Sequence, residues 1–475
     1  MIEPNSSLPV VRQLPDDFSL ANAFARVATR PGCLWFDSAS RGPCDHHGNP
    51  IGRFSFLTAD PIEKLVAFQG EDDPWPQLDA WCRRLPSESR PELPPFQGGI
   101  AGLLGYEAAT WLESVGTARC DDLPTPAVSL GLYDWTVAFD HVHNCGWLLS
   151  QGLGAADPEN RLHMAEKRAD EIERLLNDHW SDQPVSNGST EVELFPQHAT
   201  VHPDVTSNFS SEEFKRCVAE IVRLICEGDS FQVNLAQRLL AKSHLAPSEL
   251  YLKLRDRNPA PFGAFYRGDG FAVLSSSPEG FLQVRDRIVE TRPIKGTVPR
   301  TGDDATDEQL AQLLSDSDKD RAENVMIADL MRNDLSRVCD DDSVIVTQLC
   351  ELERYEFVQH LVSVVRGELS EGRNVADLLR ACFPGGSVTG APKIEAMRTI
   401  ARLEPNPRGP YCGSMGYISC GGNADFNILI RTITEAHGYW QIPVGGGITA
   451  RSEPASEEAE TWVKAEGMLR AITRE

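Results

Sequence analysis

Apolar residues in this chain come in short runs cut by glycine and proline, and that pattern limits the fold more than any other feature. Cys33–Phe36, Gly99–Leu104 and Ala127–Phe139, then Phe271–Ser275, Val344–Val346, Met415–Ser419, Phe426–Thr434 and Tyr439–Val444, read as strands. Helical periodicity falls between them, at Pro158–Trp180, Asp304–Arg337, Val375–Ala381, Ala391–Arg402 and Glu457–Ile472. The two kinds of segment are interspersed without a regular βαβ rhythm. An α+β fold with antiparallel sheets is therefore expected.

A length of 475 residues is more than one compact core ordinarily holds. Residues 1–180 read as an N-terminal subdomain, and residues 181–208 shift to polar, proline, glycine and asparagine residues in the manner of a linker. The second region, 209–475, opens sharply. Ser210-Ser211-Glu212-Glu213 is a capping box, Phe214, Cys217, Val218, Ile221 and Ile225 share one helical face, and Gly228 supplies a stop.

Asp and Glu outnumber Lys and Arg by 70 to 45, a net charge of −25, which argues against nucleic acid or an anionic membrane as the main partner. An anionic substrate would need positive potential supplied locally. The 12 cysteines form no C-x-x-C pair or zinc-spaced cluster and read as reduced thiols of a cytosolic protein. The opening MIEPNSSLPVVRQLPDD lacks the basic and apolar parts of a secretion signal, and no run is long and apolar enough to span a membrane. FPGGSVTGAPK has P-loop spacing but carries Ala391 where the loop lysine belongs. CGSMG misses a nucleophile elbow by its first glycine, and neither H-E-x-x-H nor G-x-C-x-G occurs, so the chain has no glutamine-hydrolysing cysteine motif.

Two acid pairs have i,i+3 spacing, Asp320 with Glu323 and Glu457 with Glu460, and on helices each pair projects to one side. Four carboxylates brought together would call for a hard cation, Mg²⁺ by default. From spacing alone, two solvated acidic helix faces are the stronger reading. Gly445-Gly446-Gly447 could let backbone N–H groups approach an anion, and Arg431 in an apolar run needs an anion to face. Taken singly, a tight turn and a structural ion pair are the stronger readings of these two features. Lys295 lies in Arg-Pro-Ile-Lys-Gly-Thr, which suggests a rigid, partly apolar turn. An unperturbed lysine is only about 0.04% free amine at pH 7, so a nucleophilic role requires desolvation or a nearby cation, either Arg292 or bound Mg²⁺. Without that, it is an ordinary surface lysine.

Several ordered blocks change this balance: SSSPEGF (275–281), RPIKGT (292–297), DRAENVMIADLMRNDLSRV (320–338), FVQHLVS (357–363), FPGGSVTGAPKIEAM (383–397), GSMGYIS (413–419), DFNILIRT (425–432) and GGGITARSEPASEEAET (445–461). Together they resemble the chorismate-utilising enzymes, which include the large subunits of anthranilate and aminodeoxychorismate synthases and the isochorismate and salicylate synthases. FDSAS (36–40) and GRFSF (52–56) add a weaker match. The resemblance implies a mixed fold of sheets around a central cleft with helices outside. It implies Mg²⁺ held by Glu323 and Glu460, with Asp320 and Glu457 in support. Arg431, Tyr411 and the Gly445–Gly447 backbone would bind the enolpyruvyl carboxylate, with Gln232 and Thr389 also in the substrate site. Glu279 would be the general acid for the departing 4-hydroxyl, and His360 the counterpart of the base in anthranilate formation. Ser38 is the candidate contact of a tryptophan pocket.

Two positions separate the branches. Hydroxylating members resemble one another in carrying a water-activating lysine where this chain has Gln232. Pro293-Ile-Lys-Gly-Thr297 resembles the aminodeoxychorismate-forming branch, where anthranilate synthases usually read P-I-A-G-T. The resemblance then implies that Lys295 attacks the ring covalently and that ammonia arrives from a separate glutaminase subunit, toward p-aminobenzoate and folate. Arg451 and Ser336 depart from the family's usual Asp and Gly. Anthranilate synthase component I and a non-catalytic tryptophan-sensing homologue are the competing expectations.

Overall fold

A computed structural model describes residues 8–44, 48, 50–155, 157–177 and 192–473. The expected helix end at Trp180 and residues 181–191 of the linker lie outside the described residues. Two antiparallel sheets, of 13 and 10 strands, carry the fold. The first runs Phe54–Thr58, Leu34–Asp37, Phe262–Arg267, Phe271–Ser277, Thr432–Ala436, Tyr439–Ile448, Gln232–Lys242 through its middle. The second contains Ile294–Pro299, Val358–Glu368, Gly280–Arg285, Ser414–Ser419 and Gly99–Leu104. Strands from before and after the connecting segment pair in both: Trp35 lies opposite Phe265, and Leu103 opposite Met415.

The period-two alternation of strands explains the layers. Leu34 faces a cluster between the sheets that includes Phe96, Tyr133, Met415 and Tyr417. Its neighbour Trp35 faces the opposite side, with Phe24, Tyr251 and Phe265. The Phe24–Trp35 and Phe24–Phe265 ring centroids are 4.8 and 4.9 Å apart, contacts that add roughly 0.5–1.5 kcal/mol each beyond burial. Helices cover the outer faces. Met468 and Ile472 of Pro454–Ile472 pack on the first sheet, and Ile327 and Met331 of Asp318–Leu335 belong to the cluster on the second. The α+β expectation, with antiparallel sheets and external helices, holds.

The capping box is present as expected. Ser210 Oγ accepts from Glu213 N at 3.2 Å, the Glu213 carboxylate accepts from Ser210 N at 3.0 Å, and Gly228 ends the helix at φ 94°. The single helix expected over Asp304–Arg337 is two, Asp304–Ser315 and Asp318–Leu335. Ser317 breaks it by capping the second helix, its hydroxyl accepting from Asp320 N at 3.3 Å. The cysteines are free thiols. Among the described residues, no helix is long and apolar enough to cross a membrane.

Candidate active site

Lys295 sits on a strand, Ile294–Pro299, rather than in the expected turn. Pairing with Val358–Glu368 is interrupted by a bulge at Gly296: Lys295 lies opposite Leu361 and Thr297 opposite His360. Gly296 has φ +65°, and a Cβ there would meet Leu314 Cδ1 at 2.5 Å and Asp320 Cγ at 3.1 Å. Only glycine allows that twist with two helices so close. The bulge turns Lys295 toward the helix Asp318–Leu335. Its Nζ is 4.0 Å from Glu323 Oε2 and donates to the Ser387 carbonyl at 3.4 Å. The side chains of Lys295 and Glu323 are 14% and 13% exposed. Arg292, one of the two cations offered for Lys295, is instead committed to Glu290 and Glu353.

His360 is buried on the neighbouring strand, Nδ1 lying 3.0 Å from Thr297 Oγ1 and 3.3 Å from the Gly296 carbonyl. Burial pulls its pKa down to about 4, opposed by the Gly296 carbonyl and reinforced by the charge of Arg431. The imidazole is therefore neutral at neutral pH.

Glu279 occupies the Ser-Pro-Glu-Gly turn between Phe271–Ser277 and Gly280–Arg285. Ser277 Oγ accepts from its N–H at 3.2 Å, and its carbonyl accepts from Ile428 N at 3.0 Å. The carboxyl is buried, which pushes its pKa up to about 7. The Ser387 hydroxyl, the Lys295 charge and the Ile294 N–H hold it from rising further. A carboxylic acid partly protonated at neutral pH beside an amine is a donor poised for a leaving group.

The helices Asp318–Leu335 and Pro454–Ile472 bring the acid pairs toward each other. Burial raises the Glu323 pKa, Lys295 and Lys319 oppose it, and the charges of Asp320 and Glu457 add to the rise. Glu323 Oε1 is buried without a hydrogen-bond partner. Burial also pushes Glu460 up, but Lys464, Lys319 and Lys295 outweigh it and its pKa is lowered. Lys464 Nζ is 2.7 Å from Glu460 Oε1 and donates to the Gly445 carbonyl at 2.9 Å. A Cβ on Gly446 would stand 3.2 Å from Lys464 Nζ, 3.6 Å from Glu460 Oε1 and 3.7 Å from Glu457 Oε2. Asp320 is turned aside, its carboxylate bonded to the Ser317 hydroxyl. Among the described residues, no three His, Cys, Asp or Glu side chains stand at metal-ligand spacing.

Gly445–Gly447 are not a loop. They belong to the strand Tyr439–Ile448 and pair with Asn234–Ala236. The strand's other neighbour, Thr432–Ala436, pairs only as far as Gln441, which leaves the glycine stretch with an open edge. A Cβ on Gly447 would fall 1.9 Å from Gln232 Nε2, and Gln232 Oε1 is buried without a partner. The run expected as one strand over Phe426–Thr434 breaks after Asn427 and resumes at Thr432. Arg431 lies in the break at φ +51°, in the left-handed region. Among the described residues its guanidinium makes no hydrogen bond or ion pair, and burial lowers its pKa, while Tyr411 and Glu460 act to raise it. Tyr411 is buried. Thr389 spends its hydroxyl on the Gly385 carbonyl at 3.1 Å, and its own carbonyl accepts from Asn234 N at 2.8 Å.

Four supports escaped the sequence reading. Arg408 is buried, ion-paired to Glu404 at 2.6 Å, and donates to the Val388 carbonyl at 2.8 Å and to Asn234 Oδ1 at 3.2 Å; its guanidinium lies 5.9 Å from the Tyr411 ring centroid. Lys393 binds Asp334 at 2.6 Å and the Cys382 carbonyl at 2.7 Å, tying two of the sequence blocks together. Ser387 and Lys464 complete the set. Lys464 and Arg408 carried a local signal, their i,i+4 spacing from Glu460 and Glu404.

Ser38 follows the strand Leu34–Asp37 of the first sheet. It lines a cavity of about 460 Å³ with Phe36, Arg53, Glu290, Arg292 and Tyr417. Its hydroxyl donates to the Phe54 carbonyl at 2.7 Å.

Comparison with known proteins agrees with this architecture. The model of the chorismate binding enzymes matches residues 33–470. The chain is 37% identical over 468 residues to aminodeoxychorismate synthase component 1 of Escherichia coli K12, covering 95% of each. It is 38% identical over 392 residues to anthranilate synthase component 1 of Streptomyces coelicolor, covering 81% of this chain and 74% of that one. The crystal structure of anthranilate synthase component I from Streptococcus pneumoniae TIGR4 superposes with a TM-score of 0.76 at 31% identity, over 88% of this chain and 92% of that one. Matched along nearly its whole length, the chain belongs to the chorismate binding enzyme family.

Proposed function

We propose that the chain aminates chorismate, forming 4-amino-4-deoxychorismate as the large subunit of an aminodeoxychorismate synthase. The observation that carries this reading is the half-buried amine of Lys295, 4.0 Å from Glu323 and electrostatically coupled to Glu279. The similarity to aminodeoxychorismate synthase component 1 supports it.

In this reading Lys295 loses its proton and bonds to C2 of the ring. The two ring double bonds shift, the C4–O bond breaks, and Glu279 gives its proton to the departing hydroxyl, which leaves as water. Ammonia then adds at C4, the double bonds shift back, and the C2–N bond to lysine breaks. Arg431, whose guanidinium makes no ion pair among the described residues, and the open edge of Gly445–Gly447 bind the enolpyruvyl carboxylate near Tyr411. Gln232 offers a neutral amide where a hydroxylating enzyme needs a base. Thr389 acts through its backbone, since its hydroxyl is already committed. His360, neutral and buried, is available as a proton acceptor close to Arg431.

The oxygen donors fit a hard divalent cation: Glu323 has an orphaned buried Oε1, and Glu460 and Glu457 converge over Gly446. Glu323 and Glu460, with Glu457 in support, would hold Mg²⁺, which would supply positive charge for the ring carboxylate; Asp320, bonded to Ser317, would have to turn to join them. Ammonia comes from a separate glutaminase subunit, in keeping with the absence of a glutaminase motif in this sequence. The cavity beside Ser38 takes tryptophan, and the enzyme works in the cytoplasm. Anthranilate synthase is the second reading, favoured by the 31% identical structure.

Product analysis with chorismate, Mg²⁺ and ammonium salts tests the proposal without any partner. Aminodeoxychorismate is expected. Fluorescent anthranilate as the main product overturns it.

A further inference from the structure

Tyr411 follows a turn that a carboxylate from the first part of the chain holds in place. Glu107 lies in the short helix Tyr106–Trp111, just past the strand Gly99–Leu104. Its Oε1 accepts from Arg408 N at 2.8 Å and its Oε2 from Gly409 N at 2.9 Å. Tyr106 N donates to the Gly409 carbonyl at 2.8 Å, so the turn is bound through its donors and an acceptor at once. Gly409 is left-handed at φ +59°, and a Cβ there would meet Thr125 Oγ1 at 3.0 Å. Beyond the turn, Tyr411 N donates to the Arg408 carbonyl at 3.2 Å, and Cys412 N to the Leu429 carbonyl at 2.8 Å, just before Arg431. The backbone at Tyr411 is thus fixed between Glu107 on one side and the Arg431 segment on the other.

We infer that Glu107 is a positioning residue that sets where Tyr411 meets the enolpyruvyl carboxylate of the substrate. The inference rests on the reading of Tyr411 and Arg431 as binders of that carboxylate. A carboxylate offers two oxygens to two donors, and the successive N–H groups of the turn supply them. An amide in its place keeps one acceptor and turns an NH₂ group against the second N–H. That N–H loses its partner in a partly buried turn, and the turn shifts to recover one. Glu107 spends both side-chain oxygens on backbone, so its effect passes through Tyr411. The enolpyruvyl carboxylate keeps its charge while bonds change at C2 and C4, so its contact is as strong before the reaction as during it. A displaced Tyr411 therefore weakens binding and leaves the chemical step alone.

The test is a double-mutant cycle of Glu107→Gln and Tyr411→Phe, read as kcat and as KM for chorismate and for ammonia. Glu107→Gln should raise KM for chorismate about tenfold, with kcat and KM for ammonia within about twofold of wild type. Tyr411→Phe should raise KM for chorismate too, and adding Glu107→Gln to it should cost little more, since a misplaced ring that has already lost its hydroxyl has less to lose. Should the amide unfold the protein, Glu107→Asp, which keeps the charge and gives up reach, carries the same comparison. A merely structural glutamate would lower kcat or move all three constants together. That result, an unmoved KM for chorismate, or fully additive effects in the double variant each overturn the role of Glu107 and leave the reading of Tyr411 standing. A KM for chorismate unchanged in Tyr411→Phe overturns that reading, and the role of Glu107 with it.

Discussion

Lys295 and Glu323 face one another at 4.0 Å, from a bulged strand and from the helix packed on it, with their side chains 14% and 13% exposed. Neither has solvent enough to stand alone. Each serves as the other's counter-charge in the fold.

Lys295→Ala should reduce chorismate amination by more than roughly 100-fold, because it removes the amine read as the nucleophile at C2. Steady-state rates with ammonium salts measure this. Mass spectrometry of quenched wild-type enzyme should find substrate mass on the peptide containing Lys295. A variant that keeps its neutral-pH rate removes covalent catalysis from the account.

Glu279 links activity to stability. Its carboxyl is ordinary at 4.5 when unfolded and is raised to about 7 by burial in the fold. Between those values the folded state binds more protons than the unfolded one, so this group's contribution to stability is whole below 4.5. It falls as pH rises through about 7 and stays lost above. Glu279→Gln should therefore melt at a higher temperature than wild type in alkaline buffer, by at most a few kcal/mol of stability, with the gain vanishing in acid. Its activity should fall roughly 10²–10⁴-fold. Equal melting curves at alkaline pH would contradict the burial argument.

Glu323→Gln should weaken Mg²⁺ binding by roughly 10–100-fold, measured by calorimetry in the presence of chorismate. The same change relieves the orphaned buried Oε1 but also takes the counter-charge from Lys295 at 4.0 Å, so the stability of the apo protein should change little. Unaltered affinity would exclude Glu323 as a ligand.

Gly296→Ala forces a methyl group to within 2.5 Å of Leu314 Cδ1 at φ +65°. The expected loss is roughly 1–3 kcal/mol of stability, together with a lower rate, since the bulge aims Lys295 and seats His360 opposite Thr297. Denaturant unfolding and kcat read the two effects separately. A neutral outcome in both would mean that the bulge is dispensable.

Much of the molecule was legible before any coordinates. Alternating short apolar runs imply antiparallel sheets because side chains alternate faces, and the Ser210 box and Gly228 delimit a helix through bonds made within a few residues. The P-I-K-G-T and S-P-E-G blocks marked Lys295 and Glu279 by resemblance. The same local logic misjudged the glycines at 445–447, which pair as a strand with Asn234–Ala236, and Arg431, whose run breaks at a left-handed residue. In both places a distant strand, through its pairing or its absence, sets the local geometry.

What the sequence determined by itself was everything governed by neighbours along the chain: periodicity, caps, acid pairs at helical spacing, and the order of the blocks. Only the tertiary structure decided which groups meet. Arg408 grips Val388 and Asn234, 20 and 174 residues away, and Ser387 reaches Lys295 across 92. Charge and hydrogen bonding act through a few ångströms of space, and no pattern along the chain records those distances until the two sheets close and water is driven out from between them.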